Sequence, residues 1–378
     1  MSVNRILLQA IISRFYKGKA IILIGPRQVG KTTLLRQLVA DEPQETVLSL
    51  NCDEPDVRYL LENVSSTELK NLIGSKRIIL IDEAQRVENI GITLKLIIDN
   101  IAGIQLIVTG SSAFEINNKI NEPLTGRKFE YHLYPFSTAE LIAHTSQIEE
   151  NRLLEQRLIY GMYPDVVNHP SDANELLIQL INSYLFKDIL MYQDIRRADN
   201  LNKLLTAVAL QVGNEVSYNE LSRIVGMDKE TVERYLDLLE KVFVVFRLPA
   251  FCRNLRQELK KSRKIYFYDN GIRNALINNF QPLALRNDVG ALWENFLISE
   301  RKKHNEYNSF YAKTYFWRTH TMQEIDYIEE REGKLFAYEF KYNEHRRAKL
   351  PISFADAYPE NEFEVVNRTN YLEFLNPT

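Results

Sequence analysis

Apolar residues early in this chain come in short unbroken runs: Ala20 to Ile24, Ile78 to Ile81 and Leu106 to Val108. Runs of that length predict strands buried on both faces, as in a parallel sheet. Thr46 to Leu50 and Phe129 to Leu133 are further strand candidates, and helical spacing (Leu34, Leu35, Leu38, Val39) follows the first run. From about Glu149 to Arg197 the spacing is helical throughout (Leu153, Leu154, Leu158; Leu176, Leu177, Leu180, Ile181, Tyr184), which predicts a helical lid. The pattern over 201–250 is helix, turn, helix (Tyr218 to Val225), a Gly226-Met227 turn, a helix from Lys229 to Lys241 capped by Asp228, and an apolar strand from Val242 to Phe246. That order is the layout of a winged helix-turn-helix. The last third predicts strands at Lys264 to Asp269, Tyr315 to Arg318, Glu324 to Ile328, Lys334 to Lys341 and Phe363 to Val366, with an amphipathic helix from Gly290 to Glu300. The expected segments are 1–145, 146–199, 200–252 and 253–378.

The first strand breaks into Gly25-Pro26-Arg27-Gln28-Val29-Gly30-Lys31-Thr32-Thr33 and then a helix. Strand, glycine loop, Lys-Thr and helix form the context that cradles phosphates. Backbone N–H groups and a helix N-terminus face the anion, Lys31 reaches the β- and γ-phosphates, and Thr32 ligates Mg²⁺. The second apolar run ends in Asp82-Glu83. At that distance from a phosphate loop, Asp82 is expected to hold Mg²⁺ and Glu83 to act as general base on the attacking water. The third run ends in Thr109-Gly110-Ser111-Ser112, and Ser111 is expected to sense the γ-phosphate. Arg127, in Leu124-Thr-Gly-Arg127, is a candidate arginine finger for a neighbouring subunit. These residues predict nucleoside triphosphate binding.

Composition narrows the rest. With 378 residues, 45% hydrophobic and 26% charged, the chain is long for one core and ordinary for a soluble protein. A net charge of -3 supplies no global attraction to nucleic acid or membrane, so any such contact needs a local patch. The third helix of the winged-helix-like stretch is acidic (Asp228, Glu230, Glu233, Asp237, Glu240). A basic run follows it: Arg253, Arg256, Lys260, Lys261, Arg263 and Lys264. That run is a candidate DNA-backbone contact. Cys52 and Cys252 fit no metal or redox spacing. No run has the length of a membrane span, and a cytoplasmic location is expected.

In the last third, Asp326 and Glu339 fall on neighbouring predicted strands, and alternation puts Lys341 on the face of Glu339. Asp, then Glu-x-Lys on the next strand, is a metal-and-lysine set suited to cleaving phosphodiesters.

Gly25-Pro-Arg-Gln-Val-Gly-Lys-Thr, Leu80-Ile-Asp-Glu-Ala-Gln85, Thr109-Gly-Ser-Ser112, Leu124-Thr-Gly-Arg127, Gly161-Met-Tyr-Pro164 and Lys264-Ile-Tyr-Phe-Tyr-Asp269-Asn-Gly271 give the chain a wider resemblance. It resembles, over nearly its whole length, bacterial and archaeal AAA-type ATPases that carry a C-terminal restriction-endonuclease-like domain. The second residue of Gly-Met162-Tyr-Pro is usually another glycine in such proteins. The resemblance implies an α/β fold: a P-loop NTPase parallel sheet with a helical lid, a winged-helix-like module and a restriction-endonuclease-like α/β domain. It implies ATP rather than GTP, assembly into a homo-oligomer, and Glu294 as an additional acid beside the metal ligands Asp326 and Glu339. The function expected is Mg²⁺-dependent ATP hydrolysis coupled to DNA binding or metal-dependent DNA cleavage. The alternative is an ATP-driven oligomeric switch that recruits a protein partner, its nuclease-like domain inactive.

Overall fold

The computed structural model describes residues 3–111, 123–182, 198–252 and 263–376. They form two compact units, the first running to Phe136 and including Lys241–Phe243, the second holding Ser137–Glu240 and everything from Val244 on.

In the first unit the apolar runs become β1 (Ala20–Ile24), β2 (Val47–Asn51), β3 (Ile78–Asp82), β4 (Gln105–Gly110) and β5 (Lys128–His132). They form one parallel sheet in the order β2-β3-β4-β1-β5. Every residue of β1 and β4 is buried, which is why these strands show no alternation. The helix Lys31–Leu38 turns Leu34, Leu35 and Leu38 inward. Ser65 starts the helix Ser66–Ile73 with a reciprocal cap: its hydroxyl accepts from Glu68 N–H, and Glu68 accepts from Ser65 N–H. The chain leaves β1, runs to the edge strand β2 and returns through β3 to β4. The loop after β1 therefore opens beside the ends of β4 and β3, where parallel α/β sheets bind ligands.

In the second unit the predicted helices Tyr218–Val225 and Lys229–Lys241 form with those bounds, and Asp228 accepts the N–H of Thr231 as cap. The apolar run 242–246 behaves differently. Phe243 adopts φ +60°, and β7 begins only at Val245 and ends at Pro249. β6 (Glu215–Val216), β7 and β8 (Arg263–Phe267) make an antiparallel sheet with β8 central, so the expected boundary at 252/253 does not divide the chain. Nor does 145/146: the helix Thr138–His144 already belongs to the second unit. Arg196, Arg197, Arg253, Arg256, Lys260, Lys261 and Ser112 lie outside the described residues.

Two motifs far apart in the chain interlock here. The buried Asp269 carboxylate accepts from Met162 N–H at 2.7 Å and caps the helix Asn270–Leu276 through Ile272 N–H at 3.2 Å. A Cβ on Gly161 would lie 2.0 Å from Asp269 Oδ1, and one on Gly271 would lie 2.1 Å from Tyr160 O. The helix Gln147–Tyr160, expected to be part of a moving lid, is thereby fastened to Asn270–Leu276.

The last part of the unit is a four-stranded sheet, order β12-β11-β10-β9. β9 (Lys313–Arg318), β10 (Glu324–Arg331) and β11 (Lys334–Phe340) are antiparallel, while β12 (Asn361–Val366) runs parallel to β11. One face closes on Phe251, Trp317, Ile325, Ile328 and Phe354. The long helix Val289–Tyr307 crosses the unit, and its Arg301 forms a fully buried bidentate pair with Glu329 of β10 at 2.8 and 2.7 Å. Its N-terminus is fixed by Asp288, which accepts from Arg286 at 2.8 Å and from Arg273.

Burial alone would raise the Asp288 acid, but the two guanidiniums prevail and hold it down at about 2. Its stabilising charge is therefore complete above the ordinary aspartate range and is lost as pH falls toward 2. Asp288→Asn strands part of two buried arginine charges and is expected to cost about 3–5 kcal/mol at neutral pH. The gap to wild type in urea midpoints should narrow steadily below pH 4; a gap that stays constant with pH would contradict this.

Candidate nucleotide site and the C-terminal acid cluster

The phosphate-binding loop needs its glycines for separate reasons. A Cβ on Gly25 would sit 2.1 Å from Leu133 O, so only glycine lets the backbone leave β1 against the chain beyond β5. Gly30 takes φ +93° as the residue before the helix Lys31–Leu38, a left-handed turn that other side chains resist. Val29 is fully buried beneath the loop, while Gln28 stands exposed at φ +61°. Lys31 is 95% buried, and its Nζ donates to Gly25 O and Pro26 O, both at 2.9 Å. The ammonium is thus held inside the loop, against its own carbonyls.

Beyond the loop, hydroxyls and carboxylates from three elements form a chain of hydrogen bonds. Thr32 Oγ1 donates to Asp82 Oδ2 at 2.8 Å, and Thr109 Oγ1 donates to Asp82 Oδ1. Thr109 Oγ1 in turn accepts the N–H of Glu83 at 3.2 Å. Glu83 is a non-glycine residue at φ +54°, a strained setting that turns the backbone sharply out of β3. Gln85, buried, donates its amide to Glu83 Oε2 at 2.5 Å and to Ser111 Oγ at 2.9 Å. The loop, Asp82, Glu83 and Ser111 therefore lie together, and two further residues join them. Thr109 and Gln85 have no assigned role in the sequence pattern, because their links depend on β4 lying between β1 and β3. The only forward signal is polarity at the end of an apolar strand.

Thr32 and Asp82 offer hard oxygen donors within hydrogen-bond distance of each other, which suits Mg²⁺. Arg127 is elsewhere. It precedes β5, whose far end, His132, lies level with Ile24, so it sits at the opposite end of the strands from the loop, about 16 Å along the strand. There it pairs with Asp99 at 2.7 Å. Arg127 is not part of its own chain's site.

In the second unit, Asp326 and Glu339 lie on adjacent strands, and Lys341 Nζ donates to Glu339 Oε1 at 2.6 Å. Asp326 Oδ2 accepts from Phe340 N–H at 2.8 Å. Burial raises both acids, and the charge of Asp326 raises Glu339 further. Glu294 joins them electrostatically, but its Oε1 is taken by Lys264 Nζ at 2.9 Å and by the hydroxyl of Tyr266. Burial pushes the Glu294 acid up to about 7, with Lys264 opposing and Asp326 adding. The expected metal set Glu294, Asp326 and Glu339 does not assemble: among the described residues no three His, Cys, Asp or Glu side chains converge on a cation position. Lys264, expected to face solvent in a basic run, stands inside the cluster and is 1% exposed.

The first unit has the parallel sheet and phosphate-loop arrangement of a P-loop NTPase domain, and comparison with known proteins finds it similar to AAA domains. Residues 17–142 match the family model of an AAA domain, and residues 151–283 and 289–374 match two domains of unknown function, DUF8612 and DUF4143. An uncharacterized protein of Mycobacterium tuberculosis is 26% identical over 335 residues, covering 86% of this chain and 71% of that protein. One of Methanocaldococcus jannaschii is 27% identical over 301 residues, covering 69% and 63%. Among solved structures, a Walker-type ATPase of Pyrococcus abyssi superposes with a TM-score of 0.52 at 15% identity, over 73% of this chain and 96% of that one. Among the described residues no helix is long and apolar enough to cross a membrane.

Proposed function

We propose that this chain is a Mg²⁺-dependent ATPase whose turnover drives a conformational switch acting on a partner. The observation that carries the hydrolytic part is the continuous link Thr32–Asp82–Thr109–Glu83 beside the Lys31 loop. Lys31 exchanges the Gly25 and Pro26 carbonyls for phosphate oxygens, bringing a positive charge to where negative charge develops. The N–H groups of the loop and the start of the helix Lys31–Leu38 bind the remaining oxygens. Mg²⁺, held by Thr32 and Asp82, supplies further charge neutralisation when bound. Glu83 takes the proton of the attacking water, and the Gln85 amide fixes its carboxylate and ties it to Ser111. Ser111 then reports the γ-phosphate to the base through a single side chain. As an arginine finger, Arg127 serves a neighbouring copy, and the homo-oligomer reading rests on it.

The second half of the reading concerns what turnover drives. Asp326, Glu339 and Lys341 support a nuclease-like arrangement, and the helices with the β6-β8-β7 sheet support a winged-helix-like module. The lysine within the acid cluster favours the non-cutting alternative over DNA cleavage. ATP hydrolysis measured with and without double- and single-stranded DNA, with DNA length followed on a gel, tests this. Turnover indifferent to DNA, with the DNA intact, is expected. DNA-stimulated turnover with cutting lost in Glu339→Gln would replace the switch by a coupled nuclease.

A further inference from the structure

The acid cluster of the second unit carries a feature that the nucleotide chemistry leaves unused. Lys264 lies on β8, the central strand of its sheet, paired on one side with Glu215 and on the other with Leu248. Its strand cannot withdraw without breaking both pairings. The side chain runs inward: Nζ is 2.9 Å from Glu294 Oε1, 2.6 Å from Glu324 Oε1 and 5.5 Å from the centre of the Phe316 ring. Two carboxylates thus lie within ion-pair distance of one enclosed amine.

One oxygen of each carboxylate around it is engaged. Glu294 Oε1 also accepts from Tyr266, and a Cβ on Gly213 would come within 3.3 Å of Glu294 Oε2, so Gly213 lies beside that oxygen. Asp326 Oδ2 takes the N–H of Phe340, and Glu339 Oε1 takes Lys341. The second oxygen of Glu324 faces the guanidinium of Arg318 at 3.8 Å. Four carboxylates thus meet two ammoniums and a guanidinium. A divalent ion entering this ground meets an enclosed positive charge at short range and finds one oxygen of every carboxylate already engaged.

We infer that Lys264 is the resident cation of this cluster: its ammonium balances the buried acids in the way a divalent ion otherwise would, and the cluster takes up no divalent metal. The domain keeps the acid-and-lysine arrangement for folding, without phosphodiester cleavage through a bound metal. This stands apart from hydrolysis at the Lys31 loop, and loss of either leaves the other unaffected.

The test is a titration of the full chain, free of nucleotide, with Mn²⁺ followed by the electron paramagnetic resonance of the free ion. Wild type is expected to take up no Mn²⁺ at micromolar concentrations. Uptake of one ion per chain that disappears in Asp326→Asn or Glu339→Gln would overturn the proposal. Uptake that survives both substitutions lies outside the cluster and agrees with it. Lys264→Met removes the resident charge; the folded variant is expected to bind one Mn²⁺ and to gain several degrees of Tm from it, as a ligand bound only by the native state does. A folded Lys264→Met chain that still takes up no ion would show that something other than the ammonium excludes metal. A Lys264→Met chain that does not fold is what buried acids without their cation predict, and the wild-type titration then decides alone.

Discussion

Lys31→Ala is expected to lower ATP turnover by at least about 10²–10³-fold, the cost of removing one preorganised donor from developing transition-state charge. The ammonium is almost fully enclosed and already lies within the loop, so little reorganisation separates it from phosphate. Arg127 does not substitute for it, lying at the opposite end of the strands from the loop. The alanine variant also loses the two bonds that hold the Gly25 and Pro26 carbonyls, so nucleotide affinity should fall together with the rate. Lys95→Ala is the matched comparison, an exposed lysine elsewhere in the same unit, and should stay within about twofold because surface changes are usually worth under 0.5 kcal/mol. Phosphate release under saturating Mg²⁺ and ATP distinguishes the two. Equal rates in Lys31→Ala and wild type would remove Lys31 from the chemistry.

Glu83→Gln separates binding from hydrolysis. The amide keeps the shape of the side chain but cannot accept the proton of water, so kcat should fall about 10²–10⁴-fold while affinity stays nearly constant. The backbone of Glu83 is held independently by Thr109 and by its own left-handed turn, so the substitution leaves the strand end in place. A fluorescent ATP analogue measures affinity, and a single-turnover experiment measures the chemical step. A parallel loss in both would mean that Glu83 shapes the pocket instead of acting on water.

Much of the nucleotide site is legible from local sequence, because its parts are local. An apolar run that ends in Gly25, followed by Lys31-Thr32 at a helix start, fixes strand, loop and helix within fourteen residues. The Asp82-Glu83 pair is legible in the same way, as acids at the end of a strand too apolar to be exposed. Strand order is not legible, since parallel strands carry no register signal, and the roles of Thr109 and Gln85 depend on it entirely. The same limit explains Lys264. Beside Arg263 it resembles a solvated charge, and only the pairing of β8 with both Glu215 and Leu248 turns it inward. The slip at 242–246 has a purely local cause that composition conceals: Phe243 takes a left-handed turn that aromatic residues seldom adopt, which delays the strand to Val245. The motifs Gly161-Met162-Tyr163-Pro164 and Asp269-Asn270-Gly271 are visible in the sequence as conspicuous glycines. Their common purpose emerges when Asp269 is found bonded to Met162.

The central claim is that the Lys31 loop and the Asp82–Glu83 strand end form one hydrolytic site. The most direct measurement is phosphate release by the purified full chain with Mg²⁺ and ATP, run beside nucleotide binding for wild type, Lys31→Ala and Glu83→Gln. Steady release by wild type is predicted, with binding but no appreciable release in Glu83→Gln and loss of both in Lys31→Ala. Release that persists unchanged in both variants would contradict the account.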